Sequence, residues 1–231
     1  MPPARIERPD LEVITRYLPS EGRLRLGGDF LDVMSLPRQG LALIIGDVSG
    51  HGPAAAALGA TLRATWQGLI MSGADRATIR ATLDATMVRE RRDEDAFATA
   101  CLAWIDRVGD WDRLHFLNIA HPLPLLLGDE AVPLAALPSL PMGVGGESRW
   151  EPAIVRLTPP WTLVFYTDGL VEGVAAADSP VRFGEASLVS LLGYLGPIDE
   201  HAVDALLAHI EVANDGPMDD DVALVVVARR A

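Results

Sequence analysis

The stretch Leu41-Ala-Leu-Ile-Ile-Gly-Asp-Val-Ser-Gly-His-Gly52 constrains this chain more than any other. Its apolar run, Leu41 to Ile45, stops at an acid, Asp47, inside a glycine-rich turn, and Pro53 with Ala54 to Ala57 then opens a helical pattern. An apolar run bounded by turn residues suits a strand buried on both faces. Proline suits the first helical position, where its missing N–H costs nothing. Asp47 is therefore expected at the mouth between a core strand and a helix start, where glycines let a ligand approach the backbone. A carboxylate so held can bind a cation.

The rest of the chain arranges itself around that strand. Residues 1–10 carry three prolines and little pattern and read as a flexible arm, leaving 11–231 as one domain. Leu11 to Leu18 reads as an edge strand closed by Pro19, Glu21 to Arg25 as a charged turn, and Leu26 to Met34 as a strand kinked at Gly27-Gly28, in a hairpin with Leu41 to Ile45. Pro53 to Met71 and a segment capped by Asp75 and reaching about Arg91 read as helices, followed by a solvated loop over Glu90 to Asp95. Strands are predicted at Phe97–Ile105, Leu114–Ile119 and Leu123–Leu127, and Pro133 to Gly146 reads as loop. Trp150–Leu157 and Thr162–Tyr166 read as a further pair turning at Pro159-Pro160. Helices are predicted at Ala186–Tyr194 and Asp199–Val212, and a last strand at Val222–Ala228. Many strands and short turns imply antiparallel sheets with helices packed outside.

Charge narrows the function. The formal net charge is −13, and every one of the nineteen basic residues is Arg. That balance argues against wrapping nucleic acid or an anionic membrane, which need a basic patch. No apolar run approaches the ~20 residues of a membrane span. Cys101 is the only cysteine, which excludes an intramolecular disulfide and fits a reducing cytoplasm; inside an apolar strand it reads as inert core.

Acids recur at the ends of apolar strands: Asp29 after Gly27-Gly28, Asp47 after Gly46, Asp168 before Gly169, and Asp219-Asp220-Asp221 ahead of the last strand. Taken singly, each is also an ordinary turn or solvated face. Together they suit hard divalent cations, which take carboxylate oxygens and keep several waters. Two such ions ~3.5–4 Å apart can lower the pKa of a shared water toward neutrality for phosphate ester hydrolysis.

Five ordered motifs carry a resemblance: Gly27-Gly28-Asp29-Phe30-Leu31-Asp32, Gly46-Asp47-Val48-Ser49-Gly50-His51-Gly52, Asn118-Ile119-Ala120-His121-Pro122, Tyr166-Thr167-Asp168-Gly169-Leu170-Val171-Glu172 and Asp220-Asp221-Val222. Over about residues 11–229 the chain resembles the SpoIIE-like branch of the metal-dependent protein phosphatases of the 2C type. The resemblance implies an α+β fold, a β-sandwich of two antiparallel sheets flanked by helix pairs in four αββα layers. It implies removal of phosphate from phosphoserine or phosphothreonine by a water bound to two Mn²⁺ or Mg²⁺ ions. The protein substrate it implies is an anti-sigma-factor antagonist of bacterial partner switching. By position, Asp47 would bridge both metals, with the Val48 carbonyl as a further ligand, Asp29 acting mostly through water, and Asp168 and Asp220 completing the site. No covalent enzyme intermediate is implied. Ala223 stands where many members have a hydroxyl, and the sensor and helical switch that precede the catalytic core in many members are expected to be absent.

The two histidines of these motifs and the Asp219–Asp221 run need separate treatment. His51 lies four residues after Asp47 rather than two, so packing or a turn hydrogen bond is expected of it in place of acid catalysis; His121 is expected to be a structural hydrogen-bonder. In an extended segment Asp219 and Asp221 share one side and Asp220 the other, and the apolar run Val222 to Val227 leaves the choice open. The resemblance assigns the ligand position to Asp220, and a supporting hydrogen bond is expected of Asp221. Two rival functions stand beside the phosphoprotein phosphatase. One is an inactive domain of the same fold that binds a phosphoprotein. The other is a small-molecule phosphatase, which would need basic residues beside the acids, where only Arg25 is near in sequence.

Overall fold

A computed structural model describes residues 6–19, 27–128, 130–145, 150–173, 183–195, 198–213 and 220–230. The strand at the centre of the sequence argument, β3 (Gly40–Val48), is buried at every position but Asp47, as its unbroken apolar run requires. It pairs on one side with β2 (Phe30–Leu36) and on the other with β4 (Ala98–Val108). β5 (Trp111–Ile119) and the edge strand β8 (Ala153–Leu157) extend this first sheet to the order β2-β3-β4-β5-β8. The second sheet has the order β1-β10-β9-β6-β7, built from β1 (Leu11–Leu18), β10 (Val222–Arg229), β9 (Trp161–Tyr166), β6 (Leu125–Leu127) and β7 (Ala131–Pro133). Every pairing in both sheets is antiparallel.

Side chains alternate across each strand, and the alternation makes the layers. From β3, Leu43 and Ile45 face the second sheet with Cys101 and Phe116, meeting Leu163, Phe165, Val225 and Val227. The intervening Ala42 and Ile44 face outward, where Leu62 and Trp66 of α1 (Pro53–Ser72) and Ile79, Leu83 and Met87 of α2 (Arg76–Glu90) cover them. The second sheet is covered likewise: Val164, Tyr166, Leu224 and Val226 pack under α4 (Gly184–Leu195) and α5 (Glu200–Ala213), which follow the single turn α3 (Gly169–Glu172). The result is the α+β sandwich of four αββα layers. As expected, Asp75 caps α2, its Oδ1 accepting from the Thr78 N–H at 2.9 Å, and Gly73 ends α1 in the left-handed conformation, φ 72°.

Three expectations need correction. β8 and β9 do not pair: the Pro159-Pro160 connection carries the chain from the edge of one sheet into the other. Two prolines supply no N–H for a hairpin ladder, and β8 reads as half-exposed whereas β9 is almost wholly buried. The proposed loop after Pro133 is preceded by a strand, β7, too short for a periodicity signal. The strand predicted from Leu26 begins only at Phe30, because Gly27 to Asp29 crosses over the end of β3; Leu26 and the charged turn 21–25 lie outside the described residues.

The N-terminal segment is tied down at least from Arg8, which is 2 % exposed. At the end of the sandwich remote from Asp47, fully buried Asp112 accepts from Arg8 Nη1 at 2.9 Å, Arg229 Nη1 at 2.6 Å and Trp161 Nε1 at 3.1 Å. Removing Asp112 leaves two guanidinium groups without their buried counter-ion. Asp112→Ala should lower unfolding free energy by roughly 3–5 kcal/mol in urea denaturation. Asp106→Ala, which breaks the more exposed pair with Arg76, should cost under about 1 kcal/mol. Similar losses in the two variants would contradict this account.

Candidate active site

Four strand ends meet at one edge of the seam between the sheets. Asp47 is the next-to-last residue of β3, directly opposite Thr99 of β4. Asp29 stands just before β2, Asp168 follows β9 and begins α3, and Asp220 and Asp221 precede β10. Strand parity aims Asp29, Asp47 and Asp221 inward with Leu31, Ile45 and Ala223. Asp221 is 1 % exposed, whereas Asp220 sits at the exposed rim. Asp219 lies outside the described residues, and so does Arg25.

Close backbone approach explains the Gly-Gly-Asp motif. A Cβ at Gly28 would stand 2.1 Å from the Val48 carbonyl oxygen and 2.8 Å from Asp47 Oδ1. A Cβ at Gly27 would fall on the Asp221 carboxylate, 1.8 Å from Oδ2. Only glycine lets the Gly27–Asp29 segment lie across the end of β3, where the Val48 N–H donates to the Gly28 carbonyl at 3.2 Å. Gly169 meets the same demand from the other sheet, since a Cβ there would be 2.0 Å from the Asp221 carbonyl oxygen.

Hydroxyls fix the acids. Thr167 Oγ1 donates to Asp29 Oδ2 at 2.7 Å while accepting from the Ala223 N–H at 2.8 Å, which ties Asp29 to both β9 and β10. Tyr17 of β1 donates to Asp221 Oδ2 at 2.5 Å, and the Asp221 N–H donates to Asp220 Oδ1 at 2.8 Å. Sequence reasoning passed over Tyr17 and Thr167. Thr167 sits inside a quoted motif and could have been weighed; Tyr17 has no local signal, because only its register opposite Ala223 brings it to the site.

Burial comes first among the causes that raise these acids. It pushes Asp29 up to about 9, reinforced by the charges of Asp47, Asp168 and Asp220 and opposed by the Thr167 hydrogen bond. It pushes Asp47 up to about 7, with Asp168, Asp220 and Asp221 adding to the effect. Asp168 is raised by burial and by Glu172 and Asp220. Among the described residues, the groups that shift these three include no Arg or His. Carboxylates gathered without a cation suit hard divalent ions, and the donor set is all oxygen. Among the described residues no three His, Cys, Asp or Glu side chains close into a ligand cage.

The other singled-out residues separate. His51 is exposed at the rim of a cleft of about 500 Å³ lined also by Val48, Ala54, Leu58 and Arg92; it neither packs nor makes the expected turn hydrogen bond among the described residues, because the turn carries it outward beyond Gly50. Cys101 is buried in the sandwich core, and burial raises its thiol pKa, so it is inert as expected. His121 is buried and hydrogen-bonded to Thr99.

The raised acids set a pH dependence for the metal-free chain. Unfolded Asp releases its proton near 3.8. Between that value and the folded-state values of about 7 and about 9 the fold holds protons the unfolded chain has lost, so stability falls as pH rises. In chelator, unfolding free energy should drop by more than about 1 kcal/mol between about pH 5 and about pH 8. Asp47→Asn should flatten that drop; an unchanged slope would contradict the coupling.

With the geometry in place, comparison supplies the kinship. The sequence model of Stage II sporulation protein E (SpoIIE) matches residues 37–230. Phosphoserine phosphatase RsbP of Bacillus subtilis (strain 168) is 26% identical over 155 residues, 65% of this chain and 38% of RsbP, so the chain spans about two-fifths of that relative. The RsbU and RsbW domains of Rv1364c from Mycobacterium tuberculosis superpose with TM-score 0.78 at 26% identity, covering 96% of this chain and 60% of that one. The PP2C phosphatase domain of Bacillus subtilis SpoIIE superposes with TM-score 0.79 at 21% identity, covering 95% and 63%, a likeness of fold. Matched by that family's model over most of its length, the chain belongs to the SpoIIE family.

Proposed function

We propose that the chain is a divalent-metal-dependent phosphoprotein phosphatase acting on phosphoserine or phosphothreonine, and that its substrate is an anti-sigma-factor antagonist of a partner-switching pathway. One observation carries the reading: buried carboxylates on strands of both sheets converge, and among the described residues the groups that shift them include no cationic side chain. Asp47, the Val48 carbonyl, Asp29, Asp168 and Asp220 would hold two Mn²⁺ or Mg²⁺ ions. Bound ions of this kind supply an activated water and neutralise charge on a phosphoryl group. The chain's own part is to place the oxygens: Gly28 leaves the Val48 carbonyl uncovered, Thr167 fixes one oxygen of Asp29, and Tyr17 fixes one oxygen of Asp221. Burial of Cys101 removes the only thiol as a nucleophile. A buried lone cysteine also fits the cytoplasm, and no helix among the described residues is long and apolar enough to cross a membrane.

The test is phosphate release from a panel of phosphorylated antagonist proteins. Activity should vanish in chelator, return with Mn²⁺, and fall at least about 100-fold in Asp47→Asn. Activity on the phosphoproteins should exceed that on p-nitrophenyl phosphate, because contacts remote from the phosphate contribute binding energy. Turnover that persists in chelator would defeat the metal mechanism. Equal kcat/KM on both substrates would favour a small-molecule phosphatase, and tight phosphoprotein binding without turnover an inactive binding domain.

The two acids before β10 divide the work. Asp220→Asn should weaken Mn²⁺ activation far more than Asp219→Asn, with Asp221→Asn intermediate, since a group that orients ligands is worth roughly tenfold. Tyr17→Phe should follow Asp221→Asn, because it removes that acid's hydroxyl partner. If Asp221→Asn is the more damaging in Mn²⁺ titrations, Asp221 is the ligand and Asp220 its support.

A further inference from the structure

We infer that His121 is a positioning residue that sets the spacing of the two halves of the acid site; the inference rests on the metal-binding reading above. Asp47 belongs to the first sheet and Asp168 to the second, so some group must fix one edge against the other. The chain crosses between the sheets from the end of β5 to β6, and His121 lies in that crossing. It is 6 % exposed. Its Nδ1 lies 2.9 Å from Thr99 Oγ1. Thr99 is the register partner of Asp47, and directly opposed residues on one face hold their Cβ atoms about 4.5–5.5 Å apart. The rotamer of Thr99 therefore forms one wall of the space in which the Asp47 carboxylate moves.

The other side of the ring belongs to the second sheet. His121 feels the backbone of Tyr166, two residues before Asp168, although Nε2 makes no close hydrogen bond. A neutral imidazole lodged there touches the first sheet through Thr99 and lies against the strand that delivers Thr167 and Asp168. The crossing itself is over-determined. Asn118 accepts from the His121 N–H at 2.9 Å and donates to the His121 carbonyl at 2.8 Å. Ser139 Oγ accepts from the Ala120 N–H at 3.0 Å and donates to the Asn118 carbonyl at 2.9 Å. These bonds hold Ala120 at φ 51°, a left-handed conformation that a non-glycine residue adopts only when its surroundings impose it. The Asn118-to-Pro122 motif is thus a rigid bracket whose exposed product is the placement of Thr99 and, through it, Asp47.

A purely structural histidine and a positioning one predict different outcomes for direct Mn²⁺ binding, measured by titration calorimetry on the intact chain. Thr99→Val keeps shape and removes the hydroxyl; His121→Ala removes the ring; His121→Asn restores an amide near the Nδ1 position. Thr99→Val and His121→Ala should bind Mn²⁺ roughly tenfold or more weakly, the usual effect of a group that orients ligands, and His121→Asn should recover part of the loss. Leu188→Ala, a cavity under α4 in the outer core of the second sheet, should lower the melting temperature yet leave Mn²⁺ affinity unchanged. Wild-type affinity in both Thr99→Val and His121→Ala would overturn the inference, as would an equal loss in Leu188→Ala. Should His121→Ala fail to fold, Thr99→Val decides. A wild-type chain that binds no Mn²⁺ would instead defeat the metal reading, and this inference with it.

Discussion

Burial of several carboxylates in one cleft, with their mutual repulsion added to it, is the constraint on which the rest of this structure depends. Three acids whose pKa values are raised by burial and by neighbouring acidic charge weaken the fold at neutral pH. They persist there only because each stands at the end of an element whose remaining length is buried. β3 and β10 are apolar because each has a strand on either side and is covered on both faces, and that core stabilises what the acids destabilise. The buried Asp112 network lies toward the other end of the same β10 strand, through Arg229, so charge is neutralised at one end of the sandwich and concentrated at the other.

Placement of the acids follows from backbone contacts more than from side-chain packing. Gly28 lies against Val48 and Asp47, Gly27 against Asp221, and Gly169 against the Asp221 backbone. Each contact joins a different pair of strand ends, so the site closes on itself without any one segment supplying it. Gly59 of α1 continues the chain outward, since a Cβ there would be 2.7 Å from the Gly28 carbonyl oxygen. The helix layer thereby rests on the segment that carries Asp29.

Much of this was legible in the sequence, for identifiable reasons. β3 and β10 declare themselves by unbroken apolar runs, α2 by its Asp75 cap, and the acids by their glycine neighbours. What stayed hidden depends on long-range register. Nothing near Tyr17 or Thr99 signals a site; each enters it through a strand partner far away in sequence, Ala223 and Asp47 respectively. The false pairing of β8 with β9 has the same origin, since adjacency in sequence around Pro159-Pro160 resembles a hairpin until two separate sheets claim the strands. Arg8 was read as part of a loose arm because its partner Asp112 lies 104 residues away.

The central claim, that this cluster exists to be neutralised by divalent cations, has a direct readout in protons. Asp29 and Asp47, both raised above the usual carboxylate range chiefly by burial, together retain protons in the metal-free fold near neutral pH. Cations must displace these protons to bind. Calorimetric titration of Mn²⁺ into the chain near pH 7, repeated in buffers of different ionisation enthalpy, counts the protons released. The account predicts saturable binding with net proton release that diminishes as pH approaches about 9. Binding with no proton release, or no binding at millimolar Mn²⁺, would contradict it.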